Sequence, residues 1–371
     1  LTSDLIAFAL DYDESEIEAF LDYLVKNKAI RFNPILGYWE LFEGSGLDIE
    51  EIIAEKFDGF HLKRDKKVQI LEEHLVKRFY LANEYNDIKS MTRFASVHLL
   101  FSSDVLNENF SHLTQDKHAD AFIYLILLES ISDRDKVVQK LMDNKDLYNF
   151  YCIPNFEYSG LDEYIENLEI INMLLKDKEL LKTDPNIKQE LVLKKEELSF
   201  TIQKFLSRYA DFNEELIWIV SGQTHHIANE FMLQKLLSDM MMQRYPFTPE
   251  VRNDSYNRRV INRVQLKAGY NVVDHILKYP DQPQFNIKGN GPDYLIYATI
   301  FKNNQLDISN LDQISDKNFR LMREKLIELL KNKPSGSLRY FKDIFVNSPF
   351  GVREPLIPIY FVSLLRDKWD N

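Results

Sequence analysis

Two apolar runs constrain the fold of this chain more than any other feature of its sequence. The first covers residues 121–128 and reads AFIYLILL, and the second covers residues 216–220 and reads LIWIV. An unbroken apolar run of this length is typical of a strand buried on both faces. The residues between them, from 161 to 209, are rich in Lys and Glu and follow a helical pattern. We therefore expect an α/β core that carries a long helical hairpin between two of its strands.

Composition supports a folded and helix-dominated chain. The 371 residues are 45% hydrophobic and 13% aromatic, which is enough to fill cores and excludes global disorder. Glycine (11) and proline (12) are both scarce, which favours long helices over a turn-rich β architecture. The expected fold class is mixed α/β and helix-dominated, in two or three domains.

Charge and cysteine content limit the partners and the compartment. A net charge of −12 repels nucleic acids and anionic membranes overall, although a local basic face can still bind them. Cys152 is the only cysteine, so an intrachain disulfide is impossible and a cytoplasmic location is expected. Its apolar neighbours indicate a buried, inert thiol. The longest apolar runs are far shorter than the ~20 residues of a membrane helix, so we expect no membrane partner.

Residues 1–60 are predicted to form a winged helix. Two helical patterns are followed by strand patterns at residues 29–32 and 37–42, with a turn at Asn33-Pro34 between them. This order is typical of a winged helix whose first helix lies upstream, and since the sequence starts at Leu1 we interpret it as a fragment. The second helix carries many carboxylates and few cations, which favours protein docking over DNA reading.

Residues 61–224 are predicted to form an α/β domain with a mainly parallel sheet. The expected elements are helices at 66–80 and 133–142 and strands at 95–101, 121–128, 147–153 and 216–220. The hairpin at 161–209 is inserted in this domain. Its charged outer sides leave two alternatives open. The hairpin either folds back on its own domain or projects as a coiled-coil arm toward a protein partner or a sister subunit.

Residues 225–371 are predicted to be helical, with the only dense basic stretch of the chain at 250–267. The candidate phosphate or nucleic-acid contacts of this stretch are Arg252, Arg258, Arg259, Arg263 and Lys267. The alternative is an Arg-rich helix face that pairs with the abundant carboxylates. Helical patterns at 338–346 and 355–365 predict a second winged-helix-like unit, truncated because the chain stops at Asn371 where a wing strand is expected.

Signatures of catalysis and cofactor binding are missing from the sequence. There is no GxxxxGK[ST] and no GxGxxG motif, so no cofactor is expected. His225, His226 and Glu230 are the nearest approach to a metal set, but a third ligand on the same face is not evident. No nucleophile or acid–base pair can be singled out. We expect no metal site and no catalytic residues.

Four sequence stretches together resemble a known family. They are Gly37-Tyr38-Trp39-Glu40-Leu41-Phe42-Glu43-Gly44-Ser45; Tyr85-Asn86 with Thr92-Arg93-Phe94; Val251-Arg252-Asn253 with Asn257-Arg258; and Pro349-Phe350-Gly351-Val352-Arg353 with Leu356-Ile357-Pro358. The set resembles the region downstream of the nucleotide-binding domain in large bacterial P-loop ATPases of the STAND or BREX-associated kind, which belong to phage defence.

The resemblance implies an ATPase domain outside this sequence. This chain would then be the non-enzymatic regulatory and protein-interaction region of a defence-associated ATPase, with the acidic winged helix and the hairpin as contact surfaces. The departure from the family is that no ATPase motif occurs here. The alternative is a nucleic-acid-binding module that uses the Arg-rich stretch.

Overall fold

The computed structural model describes residues 1–42, 44–108, 118–144, 148–158, 160–184, 186–333 and 335–368. The helices and strands of the first part of the chain are α1 (Ser3–Leu10), α2 (Glu14–Lys26), β1 (Ile30–Asn33), β2 (Tyr38–Leu41), α3 (Ile49–Phe57), α4 (Arg64–Glu73), β3 (Phe79–Leu81), α5 (Asn83–Lys89), β4 (Phe94–Phe101), α6 (Ser102–Leu106), β5 (Ala121–Leu127), α7 (Arg134–Asp143) and β6 (Asn149–Ile153).

The remaining elements are mostly helical. They are α8 (Leu161–Leu174), α9 (Leu180–Thr183), α10 (Ile187–Ser207), β7 (Ile217–Val220), β8 (Gln223–His225), α11 (Glu230–Arg244), α12 (Arg263–Lys278), α13 (Pro292–Tyr297), α14 (Lys317–Asn332), α15 (Arg339–Val346) and α16 (Ile357–Leu364). The prediction of a helix-dominated, mixed α/β chain is confirmed.

The strands form a two-stranded antiparallel sheet, β1-β2, and a mixed six-stranded sheet in the order β3-β4-β5-β6-β7-β8. Antiparallel pairing joins β3 to β4, β6 to β7 and β7 to β8. Because three of the five adjacent pairs are antiparallel, the prediction of a mainly parallel sheet is wrong. The antiparallel pairing of β7 with β8 follows from the turn at Ser221-Gly222 between them. Both residues have a positive φ (53° and 74°), as in the type I′ turn of a two-residue hairpin.

The predicted strands at 95–101, 121–128, 147–153 and 216–220 are confirmed as β4, β5, β6 and β7, although residue 147 lies outside the described part of the chain. The helix predicted at 66–80 is wrong in its second half. Helix α4 ends at Glu73, and Phe79 to Leu81 form β3. The residues Phe-Tyr-Leu favour a strand at this point.

The chain forms two compact units. Unit 1 comprises residues 1–78, 97–113 and 124–226, and unit 2 comprises residues 79–96, 114–123 and 227–371. Strands β4 and β5 contribute residues to both units. The three-domain division at residues 60 and 224 stays a prediction.

In unit 1 the helical hairpin consists of α8 and α10, which pack against each other along their length. Helix α8 also packs against α3 and α4, and α10 contacts α3. Several polar contacts fasten the hairpin to the N-terminal region, among them Arg31 Nη1 to Glu197 Oε1 at 3.0 Å. The hairpin therefore folds back on its own unit, and the alternative of a projecting arm is wrong.

The first sixty residues contain the predicted helices and the β1-β2 hairpin. Ile17 and Leu21 of α2 pack with Ala7 and Ile30 in a small core, and Trp39 lies against it. These elements follow the expected order. The winged-helix assignments, here and for α15-α16, stay predictions.

Unit 2 has a large apolar core, which includes Val272 of α12, Phe319 and Met322 of α14, and Tyr360 of α16. The helix face that the carboxylate-pairing alternative placed at 250–267 is wrong for residues 251–262, which have no helical structure, whereas α12 begins at Arg263 and includes Lys267. The reason is a helix cap: the side chain of Asn262 accepts a hydrogen bond from the backbone N–H of Gln265 at 2.9 Å.

None of the helices in the described residues has the length and apolar character needed to cross a membrane.

Candidate functional site

The most highly charged buried cluster of unit 2 surrounds Asp120. This residue precedes β5, and its backbone N–H donates to the carbonyl of Phe94 at 2.9 Å. Its side chain is 2% exposed. Three guanidinium groups reach its carboxylate: Arg93 at 2.6 Å, Arg259 at 2.7 Å and Arg353 at 3.3 Å. The cluster thus joins three arginines that are far apart in sequence to one carboxylate.

Arg93 is the most deeply buried arginine of this cluster. Its side chain is 1% exposed and donates to the carbonyl of Gly351 at 2.5 Å. The guanidinium lies 3.8 Å from the centre of the Tyr245 ring and 5.3 Å from that of Tyr85, both within the range of a cation–π interaction. Its backbone N–H donates to Asn86 Oδ1 at 2.7 Å. The Arg93 side chain is therefore fixed in one orientation.

Arg353 enters the cluster from the loop between α15 and α16. It is 4% exposed, donates to the carbonyl of Thr92 and faces both carboxylate oxygens of Asp120. Burial, together with the neighbouring guanidinium groups of Arg93 and Arg259, lowers the pKa of Arg353 to about 10 in spite of Asp120. Repulsion between the positive charges of the cluster is therefore one cause of the lowered pKa of Arg353.

Arg259 is the accessible member of the cluster. It lies in the segment 251–262, which Asn257 anchors by donating to the carbonyls of Ser90 at 2.8 Å and Val251 at 3.2 Å. The Arg259 side chain is 31% exposed, against 1% for Arg93. A molecule that arrives from solvent would meet Arg259 first.

One carboxylate balances three guanidinium groups at this site. Although burial alone would raise it, Arg93, Arg353 and Arg259 hold the pKa of Asp120 below its usual value. A cavity of about 340 Å³ adjoins the cluster, and its lining includes Arg93, Asp120, Arg259 and Arg353. The wall of this cavity therefore carries an excess of positive charge.

The structure separates the five cations that the sequence singled out. Only Arg259 joins the cluster. Arg252 pairs with Glu250 at 2.5 Å, as the carboxylate-pairing alternative expected. Arg258, Arg263 and Lys267 are exposed, and none of them has an ion pair with another residue of the described ranges. The stretch therefore does not act as one continuous basic face.

Sequence reasoning missed Asp120, Arg93 and Arg353. Arg93 and Arg353 do lie in two of the stretches that carry the family resemblance, Thr92-Arg93-Phe94 and Pro349 to Arg353. The family resemblance of those stretches pointed to the two arginines, but it does not show that they contact the carboxylate of Asp120.

A second candidate surface lies on α1 and α2 of unit 1. Phe8 (85% exposed), Phe20 (57%) and Tyr23 (66%) present their rings to solvent. The ring of Tyr12 lies 6.2 Å from that of Phe20, edge to face, which links the chain after α1 to α2. We call Leu5, Phe8, Tyr12, Phe20, Tyr23 and Leu24 the N-terminal apolar face. Exposed aromatic side chains at such density mark interaction sites on soluble proteins.

Helix α2, which carries Phe20, Tyr23 and Leu24 of the N-terminal apolar face, is also rich in carboxylates. Glu14, Glu16, Glu18 and Asp22 of α2 are all exposed, and Lys26 is the only cation of that helix. An apolar surface on such an acidic helix fits a partner that brings both apolar and cationic side chains.

Metal ligation finds no support in the described residues, where no group of three or more His, Cys, Asp or Glu side chains is placed to hold an ion. Cys152 is fully buried in β6, and burial raises the pKa of its thiol, so the prediction of a buried thiol is confirmed.

Comparison of the chain with protein-family models, with curated proteins and with solved structures gave no match. The resemblance to the STAND or BREX-associated ATPases therefore stays a prediction.

Proposed function

We propose that this chain is a non-enzymatic protein-interaction region that docks a partner through the N-terminal apolar face. The observation that carries the proposal is the exposure of Phe8, Phe20 and Tyr23 beside the small core of α1 and α2. Phe20, Tyr23 and Leu24 recur at the i, i+3, i+4 spacing that places side chains on one side of a helix. A partner helix would lie along this side.

The charge of the face favours a foreign partner over a second copy. In a twofold dimer the same surface of both copies would meet, which brings the carboxylates of α2 together and costs free energy. A basic, amphipathic helix would pair its cations with those carboxylates instead. This partner chemistry agrees with a winged helix used for protein docking, and with a regulatory region of a larger defence-associated ATPase.

The first prediction concerns binding of two designed amphipathic helical peptides. The peptides share their apolar residues, but one has lysines and the other glutamates on its polar side. We expect the lysine peptide to bind and the glutamate peptide not to bind in a fluorescence anisotropy titration. The double variant F8S/F20S should weaken binding by about tenfold or more, since each exposed ring contributes apolar contact area.

A matched control is F231S, because Phe231 of α11 is 71% exposed and lies outside the N-terminal apolar face. It should leave peptide affinity unchanged. Equal binding of both peptides, or an equal loss in F231S, would contradict the proposed docking surface. Concentration-dependent light scattering that disappears in F8S/F20S would instead indicate a second copy as the occupant.

Nucleic-acid binding by unit 2 is the second candidate function, and a specific feature of α12 favours it. Arg263, Lys267 and Tyr270 are exposed, and their spacing of four and three residues places them on one side of the helix. Arg263 and Lys267 have no ion pair within the described residues. Such cations beside an exposed aromatic ring suit a single strand, where phosphates meet the cations and a base stacks on the ring. One feature opposes nucleic-acid binding. Asp87 and Asp254 line the same polar groove as Arg258, and their carboxylates would repel phosphates.

The second prediction tests this candidate with short DNA and RNA strands at about 50 mM and 200 mM salt. If α12 binds nucleic acid, the triple variant R258Q/R263Q/K267Q should weaken binding. It should also reduce the slope of the salt dependence by about 2 to 3, one for each cation that no longer meets a phosphate. The control K176Q/K188Q/K204Q removes three exposed lysines of the hairpin region and should change neither quantity. No binding at 50 mM salt would dispose of this function.

A further inference from the structure

We propose that the cavity beside Asp120 is a binding site for the phosphate group of a small molecule, held by Arg93, Arg259 and Arg353. The site lies within unit 2 and is separate from the N-terminal apolar face of unit 1. The inference therefore does not depend on the docking function.

The cluster has more positive than negative charge. Arg93, Arg259 and Arg353 together carry three positive charges, and Asp120 supplies one negative charge to all three. Glu354 also lines the cavity, but its carboxylate pairs with Lys342 at 2.9 Å. A buried excess of positive charge is unfavourable unless a counter-ion is bound. A phosphate group would supply the missing negative charge.

The three arginines also leave hydrogen-bond donors without acceptors. The Nε–H groups of Arg93, Arg259 and Arg353 are buried, yet none of them has an acceptor among the described residues. A buried donor without an acceptor is energetically costly, so three in one cluster call for an explanation. Phosphate oxygens are acceptors that suit the planar guanidinium group particularly well.

Two of the three arginines are already held in place by other groups. The carbonyls of Gly351 and Thr92 hold the guanidinium groups of Arg93 and Arg353, and the ring of Tyr245 stacks on Arg93. Side chains already fixed lose little conformational entropy when a ligand binds. Burial and the guanidinium groups of Arg93 and Arg259 also lower the pKa of Arg353, and a bound anion would offset that repulsion.

Size and access decide the class of ligand. The cavity of about 340 Å³ is at the lower end of the range for small-molecule sites. Arg259 gives a route from solvent, since it alone of the three is substantially exposed. A nucleic-acid strand cannot bring its backbone phosphates to two arginines that are almost completely buried. The ligand is therefore a free phosphate, a diphosphate or a small phosphate ester.

The test is calorimetric titration of the full chain with inorganic phosphate, pyrophosphate and AMP, at constant ionic strength. We expect saturable binding with one site per chain. Tightest binding of inorganic phosphate or pyrophosphate identifies the free anion as ligand, and tightest binding of AMP identifies a phosphate ester. Failure of all three probes to bind overturns the proposal.

Two variants locate the binding. R259Q removes one cluster arginine that is already partly exposed, and it should raise the Kd for pyrophosphate by about tenfold or more. R320Q changes an exposed arginine of α14 that does not line the cavity, and it should leave the Kd unchanged. An equal effect of R320Q and R259Q, or no effect of R259Q, would show only non-specific attraction and overturn the proposal.

The variant D120N distinguishes a phosphate-binding cluster from one that only supports the fold, because the two predict different changes in pyrophosphate affinity. Removing the carboxylate increases the positive charge of the cavity, so pyrophosphate should bind more tightly and should restore part of the lost thermal stability. If the arginines serve only to hold Asp120, the variant loses stability and gains nothing from pyrophosphate. F8S/F20S should bind pyrophosphate as the unaltered chain does, which keeps this test separate from that of the docking function.

Discussion

D120N is expected to destabilise unit 2 by about 3–5 kcal/mol, since removing one partner of a buried ion pair leaves the others without a counter-charge. Asparagine keeps the shape of the side chain but is neutral. Arg93 and Arg353 are both almost completely buried, so water cannot take over the role of the carboxylate. The amide also presents donors toward guanidinium donors, which removes acceptors that the cluster uses.

Hydrogen exchange measures this loss in the unit where it occurs. The protection of α16 reports on unit 2, because Ile359 and Tyr360 are fully buried in its core. The control is D274N, whose carboxylate pairs with the exposed Lys278 four residues later on α12. Exposed pairs of this kind contribute little, so D274N should behave as the unaltered chain. A D120N variant as protected as D274N would contradict the expected role of Asp120.

The pH dependence of D120N follows from the direction of the pKa shift. Since Arg93, Arg353 and Arg259 hold the folded-state pKa of Asp120 below its usual value despite burial, the carboxylate stabilises the fold at every pH above about 3.9, the value in an unfolded chain. Its contribution is lost as the pH falls through the folded-state pKa. The difference between the unaltered chain and D120N should therefore stay constant from about pH 5 to 8 and shrink only in stronger acid.

Local patterns were enough to predict most of the secondary structure. The continuous apolar run before residue 128 gave β5, and the run before Gly222 gave β7. Helices α8 and α10 followed from their spacing of apolar residues. In contrast, β3 and β8 are three residues each, too short to show a period, and their antiparallel pairing depends on neighbouring strands.

The candidate site could be predicted only in fragments. Arg259 was singled out for its basic neighbours, but the same signal also selected Arg252, which pairs with a carboxylate two residues away. Arg93 and Arg353 are separated from Asp120 by 27 and 233 residues. Contacts of that separation arise from packing, which no local periodicity encodes. The sequence could therefore indicate arginines of interest without showing which of them converge.

G351A is expected to destabilise unit 2 by about 3 kcal/mol, for two reasons that add. Gly351 has a φ of +57°, a backbone conformation that costs a residue with a Cβ atom about 1–2 kcal/mol. A Cβ atom there would also lie 2.4 Å from both Arg93 Nη2 and Tyr245 Cδ1, which is far inside van der Waals contact. Overpacking of a buried site typically costs a further 1–3 kcal/mol.

G289A separates the two contributions. Gly289 has a φ of +82°, but a Cβ atom there would have nothing within 4 Å. It should therefore lose only the backbone part, and hydrogen exchange of α16 should show G351A losing about 1–3 kcal/mol more than G289A.

The same comparison tests how firmly Arg93 is held. The carbonyl of Gly351 accepts from Arg93, so a side chain at this position must displace either the guanidinium or the ring that stacks on it. G351A should consequently weaken pyrophosphate binding, whereas G289A should not. Equal stability of the two variants would mean that the loop with Gly351 and Arg353 can move to make room for a Cβ atom without a loss of stability. Arg93 would then have no fixed position, and the argument from a preorganised cluster would fail together with the expected loss of stability.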